Sequence, residues 1–149
     1  MMLGTLAGCV NGFSGEIGVS GDGKTATGVI WWCDRPDVIH VDIGRYESKG
    51  WRSMVTFSST AISGEMAELP IVRDRPGWKV DSGDPKALEG GNTYVISAWP
   101  GDGKNGSFGQ TEFTVPQAMN LNRDQVKFGI PGSVISRTKF LTWHRSYCS

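Results

Sequence analysis

The sequence predicts an all-β fold, a sandwich or a barrel, on three observations. The 149 residues include 21 glycines, most of them between short apolar runs, which is typical of strands joined by turns. Residues 38–46 alternate clearly, with Ile39, Val41 and Ile43 on one face of the predicted strand. Long stretches of good helix formers are few. A single domain is expected, because this length suits one core and is too short for two.

Glycine-rich turns divide the chain into consecutive strands. The turn Gly21-Asp22-Gly23-Lys24 carries an Asp-Gly pair, which favours a tight hairpin with a positive φ. Proline and glycine at 76 and 77 forbid continuous pairing, so two short strands, D and E, flank that segment. The predicted strands span 16–20, 25–33, 38–46, 51–58, 66–72 (D), 78–81 (E), 94–99 and 107–115.

The pattern changes beyond Pro116. Residues 116–121 can form one helical turn opened by the proline, and residues 125–130 alternate as an added strand. Ser136 can cap a final helix through residue 147, whose apolar stripe of Phe140, Trp143 and Tyr147 is expected to contact the core. The adjacent tryptophans 31 and 32 point to opposite faces of their strand, so one of them needs this helix to cover it.

The segment from Leu88 through Gly90 and Gly91 to Tyr94 resembles the corner that enters strand F of immunoglobulin-like and fibronectin type III domains. The resemblance implies that the Tyr94 ring fills the core end and that its hydroxyl bonds a backbone group of the corner. An ordinary strand that begins with tyrosine is the alternative. We expect an immunoglobulin-like sandwich over 15–116 and a C-terminal extension over 117–149 with a strand and a short terminal helix.

Leu6-Ala7-Gly8-Cys9 resembles the lipobox of bacterial lipoproteins, in which the cysteine is acylated and becomes the first mature residue. The resemblance implies a lipid on Cys9, a tether over 1–14 and an extracytoplasmic location. Two features depart from the pattern. No lysine or arginine precedes the box, and residues 1–6 are shorter than the apolar core of about 7–15 residues that export requires. The alternative is that residues 1–10 form an apolar first strand or arm.

If Cys9 carries lipid, as the lipobox implies, Cys33 and Cys148 are the thiols that are left. An even pair of thiols in an exported protein is expected to be oxidised, so a disulfide between them follows. This bridge would pin the final helix against the strand that carries the two tryptophans. Together these features resemble small actinobacterial envelope lipoproteins with an immunoglobulin or fibronectin type III-like domain, a likeness that implies no activity.

Charge and motif spacing exclude several classes of ligand. Lys and Arg total 15 and Asp and Glu total 15, so no excess charge attracts nucleic acid. Gly18 to Thr25 has the spacing of a phosphate-binding loop, but a strand follows it instead of the required helix, so no nucleotide is expected. The three cysteines and two histidines lack metal-ligand spacing, and we expect neither a metal nor another cofactor.

The sequence also argues against catalysis. Ser136 and Lys139 have the spacing found in penicillin-interacting serine enzymes, but companion motifs are missing and helix capping explains them. His40 lies in mid-strand on the predicted outer face, where no sharp turn offers a nucleophile. We expect a protein that is not an enzyme. The enzymatic alternative is a small hydrolase with a pocket near His40, Asp42 or Lys24.

Arginine beside aromatic surface is the composition of many binding patches. In the fibronectin-like topology, three loops would share one end of the sandwich: B–C at 34–37, D–E at 73–76 and F–G at 102–105. Two Asp-Arg-Pro segments would then lie close together. The candidate binding residues are Asp34, Arg35, Asp37, Arg73, Asp74, Arg75, Asp102 and Lys104. The alternative is that these are solvated loops with internally paired charges.

The predicted function is a non-catalytic, membrane-tethered binding or structural module of a bacterial envelope. Its expected partners are an unknown protein or envelope component and the membrane itself, reached through the lipid on Cys9. The alternative is a structural subunit of a larger assembly such as a phage particle, with residues 1–10 as an arm docked on a neighbour.

Overall fold

Ten strands in two antiparallel sheets form the body of the structure. The computed structural model describes residues 13–88, 90–104 and 106–148, so Cys9 and the segment that resembles a lipobox lie outside the described residues. The strands are β1 (Gly15–Gly21), β2 (Ala26–Trp32), β3 (Ile39–Glu47), β4 (Gly50–Ser59), β5 (Met66–Pro70), β6 (Lys79–Gly83), β7 (Thr93–Pro100), β8 (Gln110–Thr114), β9 (Gln125–Phe128) and β10 (Ser133–Ser136). Two short helices, α1 (Val115–Met119) and α2 (Arg137–Thr142), follow β8 and β10 in the described chain.

The strand order is that of an immunoglobulin-like sandwich. The first sheet has the order β10-β9-β1-β2-β5 and the second has the order β6-β4-β3-β7-β8. Within them, β1-β2-β5 reproduces the A-B-E order and β3-β7-β8 the C-F-G order of that fold. The predicted sandwich with a C-terminal strand and helix extension is therefore confirmed. The extension is part of the sandwich, because β9 pairs with β1 and β10 pairs with β9.

The strands predicted as D and E take other places. The strand at Met66–Pro70 pairs with β2 and so holds the E position, whereas Lys79–Gly83 is the edge strand beside β4. Because β5 runs antiparallel to β2, it ends at the end of the sandwich where β2 begins. The N–H of Ile71 accordingly donates to the carbonyl of Ala26 at 3.0 Å. The loop after β5 therefore starts at the end opposite to the one expected.

The core lies between the sheets and follows the strand alternation read from the sequence. The predicted inward side chains that are buried include Ile39, Val41, Ile43, Tyr94, Ile96, Ala98 and Phe113. Val55 and Phe57 are fully buried and form the inward face of β4. Helix α1 closes one end of this core with Val115 and Ala118, as a single turn capped by the Thr114 hydroxyl.

The C-terminal segment 137–148, called the cap from here on, covers the outer face of the first sheet. The Ser136 hydroxyl accepts the N–H of Lys139 at 3.1 Å and starts α2 as predicted. The helix is shorter than predicted. It ends at Thr142, and a 3-10 turn at Arg145–Tyr147 then brings the next residue down to β2. Of the predicted apolar stripe only Phe140 is buried, whereas Trp143 and Tyr147 are 46% and 61% exposed.

Both tryptophans of β2 are buried, on opposite faces of the strand. Trp32 faces the core between the sheets, and Trp31 lies beneath the cap with Phe140. The expectation that the final helix covers one of them is confirmed. Gly18 allows this close docking, because a Cβ there would lie 2.5 Å from a methyl carbon of Val126 and 3.2 Å from the Phe140 ring.

A disulfide joins the cap to the first sheet. Cys33 and Cys148 are bonded, with Cα atoms 5.3 Å apart and a sequence separation of 115. The predicted pairing is therefore present, and a disulfide is compatible with an extracytoplasmic location. Among the residues that the structure describes, no helix has the length and apolar character needed to cross a membrane.

Replacing both bridging cysteines, as Cys33→Ser with Cys148→Ser, should lower the free energy of unfolding by about 4–5 kcal/mol. The reason is that the bridge closes a loop of more than a hundred residues in the unfolded chain. Denaturant unfolding of the oxidised protein and of the double variant measures the difference. Dithiothreitol should destabilise the natural chain by a similar amount and leave the variant unchanged. Equal stability of the two oxidised proteins would contradict the prediction.

Candidate binding face

The outer face of the second sheet is not covered by either described helix. Helix α1 closes the end of the core and α2 packs on the first sheet. We call this surface the open face and define it by His40, Asp42, Trp51, Ser97 and Trp99. It combines aromatic rings, the Asp42 carboxylate and hydroxyl groups on a rigid sheet, which are groups able to bind a ligand.

The strand alternation positions these side chains. His40 and Asp42 point away from the core, because residues 39, 41 and 43 point into it. The register pairs His40 with Trp99 and with Ser58, and it pairs Asp42 with Ser97 and with Thr56. Directly opposed residues share one face of a sheet. The hydroxyl side chains on the open face include those of Ser53, Thr56, Ser58, Ser82 and Ser97.

Trp51 lies against the open face in a fixed orientation. Its indole covers Gly44, where a Cβ would lie 2.6 Å from ring atom Cζ2. Its Nε1 donates to Oδ2 of Asp42 at 3.1 Å, and the Ser53 hydroxyl donates to Oδ1 of the same carboxylate at 2.7 Å. The ring of Tyr46 meets the indole edge-on, with centroids 5.0 Å apart. These contacts fix the position of the indole on the sheet, where Trp51 is partly exposed.

Trp99 forms a wall of a groove at the other end of the open face. Its ring stacks on His40, with centroids 5.8 Å apart and an interplanar angle of 23°. Gly103 approaches the ring closely, because a Cβ there would lie 2.9 Å from Cδ1 of Trp99. The groove has a volume of about 550 Å³. Its lining includes Ser97, Trp99, Asp102, Gly103, Gly109 and Gln110.

One group of the predicted binding residues lies at this end of the sandwich. The β2–β3 loop carries Asp34, Arg35 and Asp37, and the β7–β8 loop carries Asp102 and Lys104. The two loops touch, since the N–H of residue 101 donates to the carbonyl of residue 38 at 3.0 Å. The Lys104 amine lies 3.9 Å from the Asp102 carboxylate. Of these residues, Asp102 lines the Trp99 groove.

The other predicted group lies at the opposite end. Arg73 and Asp74 line a cleft of about 260 Å³ beside Asp22. Arg75 points back into the fold, where its guanidinium donates to the carbonyls of residues 70 and 71 at 3.1 Å and lies 5.2 Å from the Phe57 ring centroid. The two Asp-Arg-Pro segments do not meet. The reason is that β5 holds the E position, which carries its following loop away from the B–C and F–G loops.

The Gly18–Thr25 segment is a hairpin, as the sequence predicted. The Asp22 carboxylate accepts the N–H groups of Lys24 and Thr25 at 2.9 and 2.7 Å. These bonds lower the pKa of Asp22 below its ordinary value of 3.8, and the bond from the N–H of Lys24 has the largest effect. Lys24 is exposed in this turn.

A buried acid–base pair, which the sequence did not reveal, lies under the cap. Nδ1 of His144 is hydrogen-bonded to Oε1 of Glu16, and their side chains are 23% and 14% exposed. The His144 ring stacks on Tyr147 with centroids 5.1 Å apart and meets Phe128 edge-on. Burial raises the pKa of Glu16, and the bond and charge of His144 oppose that rise. The partners lie 128 residues apart, so no local pattern could have paired them.

The contacts of this pair point to a structural role. They join β1 to the cap, alongside Arg145, whose guanidinium lies 4.6 Å from the Trp31 ring centroid.

A groove of about 470 Å³ beside Glu16 is lined partly by Phe13, Phe108 and Phe128. In the described part of the chain, no group of three or more His, Cys, Asp and Glu side chains could hold a metal ion.

Comparison with known proteins finds no family model, no curated protein and no solved structure that matches this chain. The residues of the site are therefore the basis for the function proposed below. Of the surfaces described above, the open face alone combines a fixed aromatic platform with an adjoining groove and with predicted binding residues.

Glu16→Gln should change how stability depends on pH. The raised pKa of Glu16 means that the folded chain holds this proton more tightly than the unfolded chain does. The free energy that protonated Glu16 contributes to folding is fully present below about pH 4.5, the ordinary pKa of a glutamate. It is lost as the pH rises through the higher pKa of the folded chain. The stability of Glu16→Gln relative to the natural chain should therefore rise over this window. Denaturant unfolding at a series of pH values measures it.

Asp22→Asn provides a control of opposite sign. Its folded pKa is lowered, so its stabilisation is present above pH 3.8 and is lost as pH falls. The stability of Asp22→Asn relative to the natural chain should fall as pH rises. A difference curve for Glu16→Gln that is flat, or that slopes like that of Asp22→Asn, would contradict the assignment.

Proposed function

We propose that this protein is a non-catalytic binding module of a bacterial envelope and that the open face is its binding surface. The observation that carries the proposal is the fixed position of Trp51 on a sheet face that neither described helix covers. An aromatic side chain that is already held in place loses little conformational entropy when a ligand binds. Tryptophan is also among the residues most enriched at the centres of binding sites.

The surroundings of Trp51 support this role. Asp42 and Ser53 offer polar groups at the edge of the indole, and the Trp99 groove continues the surface toward the β7–β8 loop. A binding site needs both apolar contact area and a few polar groups that fix orientation. The open face supplies both on strands whose positions are set by pairing in the sheet. Loops 33–38 and 101–109 would add contacts at its Trp99 end.

The proposed location is extracytoplasmic, with the chain anchored to the membrane by a lipid on Cys9. The Cys33–Cys148 disulfide supports the compartment, since structural disulfides persist in oxidising environments. The lipid anchor rests on the resemblance of Leu6 to Cys9 to a lipobox. An anchored module of this kind would hold its ligand close to the membrane surface.

The binding role can be tested with the full chain carrying Cys9→Ser, which separates surface binding from membrane attachment by lipid. The protein is mixed with envelope fragments of the organism that encodes it and is then sedimented. We expect a bound fraction whose affinity falls at least about tenfold in Trp51→Ala with Trp99→Ala, since truncating a central aromatic anchor typically costs 2 kcal/mol or more.

The matched control is Trp143→Ala, because Trp143 is 46% exposed but lies on the cap. This variant should bind like the parent protein. Absence of sedimentation, or equal binding of the double variant and the parent, would overturn the proposal. Thermal unfolding of each variant confirms that it is folded before binding is compared.

Lipid attachment separates the envelope proposal from a subunit of a larger assembly. Mass spectrometry of the protein purified from its native source should show a diacylated cysteine at position 9. An unmodified first segment in a protein that copurifies with a stoichiometric particle would overturn the envelope anchor and support the assembly.

A further inference from the structure

We infer that the open face binds a carbohydrate chain, with one sugar ring on Trp51 and another against Trp99. This inference rests on the proposed binding role of the open face and names the chemical class of its ligand. It follows from the chemistry beside each indole, from the spacing of the two indoles and from the charge of the surface between them.

The Trp51 site matches the two surfaces of a sugar ring. A pyranose has an apolar face of C–H groups and an edge of hydroxyl groups. The indole, which lies on Gly44, offers an apolar surface for dispersion contact with the C–H face of the sugar. Asp42 lies at the edge of the indole, where it can bind the sugar's hydroxyl groups. Each of its oxygens accepts one bond, from Trp51 Nε1 and the Ser53 hydroxyl, and a carboxylate oxygen can accept another.

The spacing of the aromatic groups suits a chain of linked rings. Trp51 covers Gly44, and Trp99 is paired with His40, four positions away along β3. The backbone positions of Gly44 and His40 are therefore about 13 Å apart along the strand, at roughly 3.3 Å per residue. Asp42 lies midway, between the two stacking positions. An extended oligosaccharide running along β3 would contact an aromatic ring at each end and a hydrogen-bonding group between them.

The surface between the indoles is rich in neutral hydrogen-bonding groups. Thr56 and Ser58 lie on β4 opposite Asp42 and His40, and Ser97 lies on β7 opposite Asp42. The Thr56 hydroxyl is bonded to that of Ser82 at 2.6 Å, which extends the row onto β6. Hydroxyl groups can both donate and accept, as sugar hydroxyls do. At the far end, Gln110 adds an amide to the wall of the Trp99 groove.

The charge of the open face disfavours other ligand classes. Its register-defined positions include Lys79 opposite Ser58 and Glu112 opposite Val95. The Lys79 amine lies 3.6 Å from the Asp81 carboxylate. Nucleic acid and anionic lipid surfaces select clusters of Lys and Arg, which these positions do not supply. A protein partner is favoured by a central apolar patch, whereas hydroxyl groups and Asp42 occupy the centre here. A neutral polyhydroxylated chain fits this surface.

The test uses the oxidised full chain carrying Cys9→Ser. The probes are the hexamers of β-1,4-linked glucose and of β-1,4-linked N-acetylglucosamine. Titration followed by NMR should shift the indole N–H signals of Trp51 and Trp99 and leave that of Trp143 in place. This mapping needs no variant and so does not depend on how a substitution folds. Trp51→Ala and Trp99→Ala should each weaken binding at least tenfold, and Trp143→Ala should change it less than twofold.

Failure of the ligand class can be told apart from failure of the binding role. Envelope fragments are treated with periodate, which cleaves vicinal diols of sugars, or with protease, before sedimentation with the same protein. Loss of binding after periodate, with binding kept after protease, supports the inference. Binding that needs Trp51 and Trp99 but survives periodate would overturn the carbohydrate and keep the binding role. The carbohydrate would also be overturned if neither hexamer shifts the two indole signals and binding is lost after protease. That result would assign the face to a protein partner.

Discussion

The docking of the cap on the first sheet is the interaction on which the rest of the structure depends. It buries Trp31, which would otherwise be a large apolar side chain on an outer face of the sandwich. Three kinds of contact hold the cap in place: the Cys33–Cys148 bond, the packing of Phe140 and the bond between Glu16 and His144. Because the cap occupies the first sheet, the outer face of the second sheet is the one that the described helices leave uncovered.

The two outer faces show how the same strand pattern serves different purposes. On the first sheet, outward positions carry Val29, Trp31 and Val126, which need cover. On the second sheet they carry His40, Asp42 and Ser97, which do not. The indoles of the second sheet are held at its surface by local contacts, with Gly44 beneath Trp51 and Gly103 beside Trp99. A polar surface with fixed aromatic rings is stable in water and still available for binding.

Strand alternation and turn residues made much of the fold predictable. Period-two alternation placed β3 and its inward side chains, and the Asp-Gly turn placed the first hairpin. Ser136, as the N-cap residue, marked the start of α2 correctly. The extent of α2 was beyond reach, because the stripe at spacings of three and four fits a longer helix, whereas the chain turns so that residue 148 reaches Cys33. The E position was also missed, since local pattern does not say which strand pairs with which.

The sequence by itself determined the class of fold and the inward faces of most strands, because these follow from local periodicity. The pairing of Cys33 with Cys148 was expected only through the resemblance of Leu6 to Cys9 to a lipobox. Tertiary structure decided which groups meet. It separated the two Asp-Arg-Pro segments through the direction of β5, joined Glu16 to His144 and set Trp51 on Gly44 beside Asp42. These contacts depend on strand order and register, and an apolar residue such as Trp51 has the same local pattern whether it lies in a core or on a binding face.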